Sequence, residues 1–391
     1  MFEPERHVAP AYRAWDAAEA RAAIAEIADD ALAALDPATL WQTHPQDNVE
    51  GGTGSIYFGA AGVIWAIDRL RRVGAIAVDR DLASLVPTVL ARNAPWYAQT
   101  MYPEHGSLLM GELGIRLVEM RLAPSAALAD RIHGLATASN DLPTVELMWG
   151  LPGAMLACLH MQGLTGEARF VALFQTQAAR LLSELEHTDR GPIWTQHLYG
   201  KQQRWLGPVH GFAGHMAPLL RGWAWLVASQ RALVGDTAAR ALAAYAVRSE
   251  LGANWPHAAD QPAKLCQHCH GAAGMVTTFA DAPFSAPEFD ALLVEGGNLV
   301  WHAGPLAKGS NLCHGTGGNG YAFLKLHRRT GDARWLERAR AFAMATIDQM
   351  REARATYGRG RYSLWTGDPG LALYLWDCIT AEPAFPTIDI F

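Results

Sequence analysis

Charge is scarce in this chain. Of its 391 residues, 32 are Lys or Arg and 38 are Asp or Glu, so 18 % are charged, against about 25 % in ordinary soluble domains. With 50 % of residues apolar, the chain can bury a large core, and general disorder is excluded. Positive charge is not in excess either. The net charge is −6, and short basic runs such as Arg69, Arg71 and Arg72 lack the density of a phosphate-tracking surface, so no nucleic-acid partner is expected. No apolar run approaches the roughly 18 residues of a transmembrane helix. The opening segment MFEPERHVAP has no basic region followed by an apolar stretch, which argues against a secretory signal. Cysteine is sparse and odd in number: the five are Cys158, Cys266, Cys269, Cys313 and Cys378. That is not a disulfide framework, and metal binding in a reducing, cytoplasmic setting is the expectation.

What the chain does have is periodic glycine. A Gly-x-x-Gly element followed by an apolar helical stretch occurs seven times, with first glycines at Gly59, Gly111, Gly150, Gly211, Gly271, Gly315 and Gly367. The second glycines are Gly62, Gly114, Gly153, Gly214, Gly274, Gly318 and Gly370. The mean repeat is about 51 residues, which suits two helices of about 12–15 residues and two connections. A second punctuation mark follows some of these elements, at Gly74, Gly166, Gly235 and Gly331. A glycine just past a helix end supplies a left-handed residue without steric cost. Stretches such as Val63 to Ile67 are apolar nearly all round and are expected inside. Trp335, Leu336, Ala339, Phe342, Ala343, Ile347 and Met350 recur at helical spacing, as on a helix with one wet face.

The reading is an all-α fold: an α/α toroid of seven helical hairpins, each with a buried inner and an amphipathic outer helix. One hairpin cannot bury its inner helix alone, whereas seven in a ring can. The Gly-x-x-Gly turns then fall at one end of the inner helices. Residues 1–40 are expected to form a helical extension outside the repeat, with the run from Trp15 to Leu35 as its helix, and residues 41–391 a single toroid domain.

Polar residues cluster just before these glycines. Cys269 stands two before Gly271, Cys313 and His314 two and one before Gly315, His210 one before Gly211, and Glu146 four before Gly150. If the turns share one end, these side chains converge there. Two thiolates and an imidazole make a three-ligand zinc site with a fourth position open for chemistry. A rival set is visible. Cys266 and Cys269 form a C-x-x-C, and with Cys313 and His314 would close a Cys₃His site. His215, His268 and His270 also lie near the rim and are read as supporting or merely polar.

The chain resembles the lanthionine synthetase C-like proteins. The resemblance rests on the seven Gly-x-x-Gly hairpins, on Cys-His-Gly-Ala-Ala-Gly at 269–274 and on Cys-His-Gly-Thr-Gly-Gly-Asn at 313–319. It covers roughly residues 50–391, and Gly304 to Leu326 and Tyr362 to Trp365 look closer to the eukaryotic-type branch. It implies an α,α-toroid with a central zinc held by Cys269, Cys313 and His314, an acid/base histidine at His210 and a carboxylate at Glu146. It also implies that Lys308 contacts glutathione. Two departures stand out: His268 replaces the usual aromatic residue before the first zinc cysteine, and Lys264 or Leu265 stands where some cyclases place a basic residue.

The implied chemistry is thioether formation. A zinc-held thiolate, from a peptide cysteine or glutathione, adds to dehydroalanine or dehydrobutyrine in a peptide or protein. An imidazole ordinarily titrates near neutrality and suits the proton transfer. Glu146 would orient it or receive the thiol proton. Two other classes remain open: a non-catalytic zinc scaffold with the closed Cys₃His site, and a toroid glycosidase using carboxylates such as Glu146, Asp281 and Asp368.

Overall fold

The computed structural model describes residues 1–47, 53–103 and 106–391. Among them are fourteen α-helices. In chain order they are α1 (Ala17–Ala33), α2 (Ala60–Arg72), α3 (Val86–Tyr97), α4 (Glu112–Leu122), α5 (Ala126–Ala138), α6 (Leu151–Thr165) and α7 (Ala168–Ser183). There follow α8 (Phe212–Arg221), α9 (Ala228–Tyr245), α10 (Ala272–Phe279), α11 (Pro287–Ala303), α12 (Thr316–Thr330), α13 (Ala333–Tyr357) and α14 (Asp368–Thr380). Three short antiparallel hairpins decorate the loops. They are β1 (Glu186–His187) with β2 (Pro192–Ile193), β3 (Gln196–Leu198) with β4 (Lys201–Gln203), and β5 (Val247–Ser249) with β6 (Gly252–Asn254). None of the described helices is long and apolar enough to cross a membrane.

The even-numbered helices form the inner ring. Each packs on the next even-numbered helix, and α14 packs on both α12 and α2, which closes the circle. Every one begins at the first glycine of a Gly-x-x-Gly element, which stands as its N-cap. The second glycine explains the spacing. A Cβ there would run into the carbonyl oxygen six residues earlier, in the chain's own entry loop. It would also press on the preceding repeat: Gly114 faces Ile56, Gly318 faces His268, and Gly62 of the first element faces Leu364 of the last. These glycines therefore set how tightly neighbouring inner helices crowd around the rim.

Burial follows the expected split. Val63, Ile64, Trp65, Ala66 and Ile67 on α2 are all buried, as are Leu151 to Cys158 on α6. On the outer helix α13 only one stripe is buried, through Trp335, Ala339, Phe342, Ala343, Ile347 and Met350. Gly166 and Gly331 cap α6 and α12 in the left-handed conformation, with φ of 73° and 70°. Gly74, one residue beyond the cap of α2, has φ 73°.

Gly235 departs from expectation and lies inside α9. The stop after α8 is supplied earlier, by Gly222 and a 3₁₀ turn at Trp223–Trp225. A Cβ on Gly222 would strike the ring of Phe174.

The N-terminal helix does not stand apart from the ring. Asp16 caps α1 by accepting from the N–H groups of Ala18 and Glu19. Its buried stripe, Ala20, Ala23, Ile24, Ile27, Ala28 and Ala31, packs on α14 and α13. It thus takes the seventh outer place, beside the inner helix that has no outer helix after it. Residues 381–391 fold back against the inner ring. Phe385 stacks on His268 at 4.3 Å between centroids, and Asp389 pairs with the fully buried Lys325 and with Arg221.

Candidate metal centre and its acid–base partners

The residue two places before each first glycine lies on the rim. Backbone hydrogen bonds join these positions in four successive steps. Cys269 N donates to Cys313 O, Cys313 N to Trp365 O, Trp365 N to Tyr57 O, and Tyr57 N to Leu109 O, each at 2.9 Å. The belt runs across the ring closure and fixes Cys269 beside Cys313. Gly271, which caps the helix after Cys269, has φ 113°, a conformation that disfavours any side chain.

Cys269, Cys313 and His314 come together as expected. Their ligand atoms all lie within 4.8 Å of one another, both cysteines are buried, and His314 is half-buried. Hydrogen bonds from Cys313 and from Gln267 Nε2 (3.0 Å) hold the Cys269 thiol below its ordinary range, while the neighbouring Cys269 pushes Cys313 well up. Tyr57 Oη donates to Cys313 Sγ at 2.7 Å. Burial lowers His314 to about 4, so its imidazole is neutral at pH 7. Two sulfurs and a neutral imidazole are a donor set that suits zinc, and three ligands leave one position for a fourth.

Cys266 is not in this group. Burial pushes its thiol up to about 12, and its carbonyl accepts from Asn319 Nδ2 at 2.9 Å. The described residues therefore do not assemble a closed Cys₃His set. All five cysteines are free.

His210 and Glu146 also meet. His210 Nδ1 lies 2.7 Å from Glu146 Oε2. A carboxylate oxygen only accepts from this ring, so the proton of this contact sits on Nδ1. Glu146 is fully buried, and its oxygens accept from the backbone N–H groups of Met148 (3.1 Å) and Trp149. The His210 side chain keeps 19 % of its surface open. The dyad neighbours the cysteines, because a Cβ on Gly207, in the loop entering His210, would touch the Cys269 carbonyl and the His270 ring. His270 is lowered to about 3, chiefly by burial, with the Lys308 charge acting in the same direction.

The remaining rim residues divide. Lys308 is exposed, in a cleft it shares with His44, Arg359 and Arg361, and its charge acts on Cys269, Cys313 and His314. His215 is buried and spans the carbonyls of Gly211 and Val145 at 2.7 and 2.6 Å, a strut beneath the Glu146 segment. His268 is buried against Phe385. Asp281 pairs with Lys325 and Arg328, and Asp368 with Arg354. These two carboxylates are thus engaged in ion pairs.

Sequence reasoning missed Tyr57, Gln267 and Tyr199, whose ring meets that of His210 edge-on. For Tyr57 a signal existed: it stands two before Gly59, the register that Cys269 and Cys313 hold in their own repeats.

Fold and site together define a helical toroid with a buried pair of sulfurs and an imidazole at the entry ends of its inner helices. A family model described as "Lanthionine synthetase C-like protein" matches residues 101–390, and the chain belongs to that family. Over 94 residues it is 45 % identical to LanC-like protein GCL1 of Arabidopsis thaliana, a stretch covering 23 % of this chain and 22 % of that protein. Over 192 residues it is 28 % identical to Glutathione S-transferase LANCL1 of Danio rerio, covering 48 % of this chain and 47 % of that protein. The chain thus spans less than half the length of either relative. Its fold matches nisin cyclase with a TM-score of 0.59 over 94 % of this chain and 98 % of that one, at 13 % identity.

Proposed function

We propose that this protein forms thioethers by adding a thiol to a dehydroalanine or dehydrobutyrine residue in a peptide or protein, with zinc as cofactor and glutathione as thiol donor. The observation that carries the reading is the juxtaposition of the Cys269–Cys313–His314 group with the His210–Glu146 pair on one rim. Membership of the lanthionine synthetase C-like family supports it. The name of the relative Glutathione S-transferase LANCL1 and the cationic cleft around Lys308 favour glutathione over a cysteine of the same peptide.

Bound by Cys269, Cys313 and His314, zinc would supply a site where a thiol donor is held as its thiolate at neutral pH. The rest falls to the chain. Glu146 keeps the His210 proton on Nδ1, so Nε2 takes the proton released by the thiol. The sulfur–β-carbon bond forms as the carbon–carbon π pair moves onto the α-carbon and its carbonyl. His210 then returns the proton to the α-carbon, so the sum is addition of S–H across the double bond. Lys308 holds a donor carboxylate. Tyr57 and Gln267 donate hydrogen bonds to the two ligand sulfurs, which orients them.

The test is to incubate the zinc-loaded chain with glutathione and a peptide containing one dehydroalanine, and to follow the peptide by mass spectrometry. A gain of one whole glutathione, dependent on zinc and on His210, is the expected result. Formation no faster than the uncatalysed background refutes the reading.

A further inference from the structure

The turn above His210 has an unusual composition. β3 and β4 are joined by two residues, Tyr199 and Gly200, with φ of 54° and 71°. A two-residue turn with both φ values positive calls for Asn-Gly or Gly-Gly. A bulky side chain is sterically disfavoured in the left-handed region. The chain places a tyrosine there, and core burial does not compensate, because Tyr199 is 43 % exposed. Such an outlier points to a use for the side chain.

Three contacts, two of its side chain and one of its backbone, hold this residue. Trp149 Nε1 donates to Tyr199 Oη at 3.0 Å. The Tyr199 N–H donates to Tyr102 Oη at 2.6 Å. The Tyr199 ring meets the His210 ring edge-on, with centroids 5.7 Å apart and planes at 80°. The backbone N–H of the same Trp149 donates to Glu146, so phenol, indole, carboxylate and imidazole form one connected assembly.

The indole N–H occupies a lone pair of the phenol oxygen, which leaves the phenol proton to point elsewhere. No hydrogen bond among the described residues uses that proton. It stays in place at neutral pH, since a phenol ordinarily titrates near 10. The mouth of the site therefore carries a phenol hydroxyl beside His210 whose donor no described residue takes up.

We propose that Tyr199 is a catalytic residue whose hydroxyl donates a hydrogen bond to the carbonyl oxygen of the dehydroamino acid. This rests on the thiol-addition reading and completes it. When sulfur bonds to the β-carbon, the displaced π pair collects on that oxygen as an enolate. Tyr199 stabilises the charge without giving up its proton, and the charge disappears as His210 protonates the α-carbon. A fixed donor aimed at developing charge, with no reorganisation needed, is among the strongest single contributions an active site makes. The acceptor class follows: the double bond has to be conjugated to a carbonyl that Tyr199 can reach.

Tyr199→Phe keeps the ring against His210 and deletes only the donor. With glutathione and the dehydroalanine peptide, kcat should fall about 10²-fold, while zinc content and the KM for glutathione stay unchanged. Replacing Tyr199 by 3-fluorotyrosine, a more acidic phenol, should raise kcat above wild type at pH 6.5, which a merely structural ring would not do. If wild type forms the adduct and Tyr199→Phe does so at the same kcat, the role of Tyr199 is wrong and thiol addition stands. If wild type forms no adduct, both readings fall.

Discussion

Replacing Glu146 by Gln should separate the acid–base pair from the metal group. The Glu146 side chain is fully buried and serves three donors: His210 Nδ1, Met148 N and Trp149 N. An amide keeps one acceptor oxygen and turns an NH₂ group towards a site that offers only donors. A hydrogen bond to a charged group contributes about 1.5–3 kcal/mol, so its loss should lower kcat roughly 10- to 150-fold. The assay is the rate of glutathione adduct formation on a dehydroalanine peptide, measured with zinc content on the same samples. Zinc should remain stoichiometric, because Glu146 is not among the ligating group. The decisive comparison is the double variant. If Glu146 acts only by orienting His210, then Glu146→Gln should add almost nothing to the loss caused by His210→Ala. An unchanged kcat in the single variant, or fully additive losses in the double, would refute the proposed pairing.

Other consequences can be measured separately. Cys313→Ala should lose stoichiometric zinc and adduct formation together, as read by elemental analysis and mass spectrometry; adduct formation at the original rate would show that the sulfur pair is not used. Lys308→Ala should raise the KM for glutathione about 3- to 10-fold with little change in kcat, and high salt should shrink the difference, since the lysine is exposed and screened. Asp377 supplies a pH signature. Burial raises its carboxyl from 3.8 to about 7, so its stabilising contribution is complete below about 4 and is lost as pH rises through about 7. Asp377→Asn should therefore gain on wild type between pH 4 and pH 8, by up to about 4 kcal/mol, read from denaturant midpoints at the two pH values.

Much of the fold was legible because the same local constraint recurs. Each second glycine meets the carbonyl six residues before it, and a contact that local leaves its mark in sequence. The sulfur pair was legible for the same reason, since Cys269 and Cys313 occupy one register in consecutive repeats. Distant contacts left no such mark. Tyr57 meets Cys313 across 256 positions, and only the repeat register links them. The place of α1 depends on packing against α14, which nothing in the segment from Trp15 to Leu35 announces. Gly235 misled because a glycine inside a long outer helix looks in sequence like one that ends it. Tyr199 escaped because its meaning lies in backbone geometry: a two-residue turn with both φ values positive is visible only once the strands are paired.

The seventh hairpin differs from the others in one respect, because its two helices come from opposite extremes of the chain order. α1 comes before its partner α14 in the chain with twelve helices between them, so the seam between the two cannot close until all of those helices have been made. An open stack of repeats can fray from either edge and melts piecemeal. A clasped circle has no such edges, and weakening the clasp should loosen the rim belt that runs through Tyr57 and Trp365 to both cysteines. Retention of the metal would then report on a joint far from it in sequence.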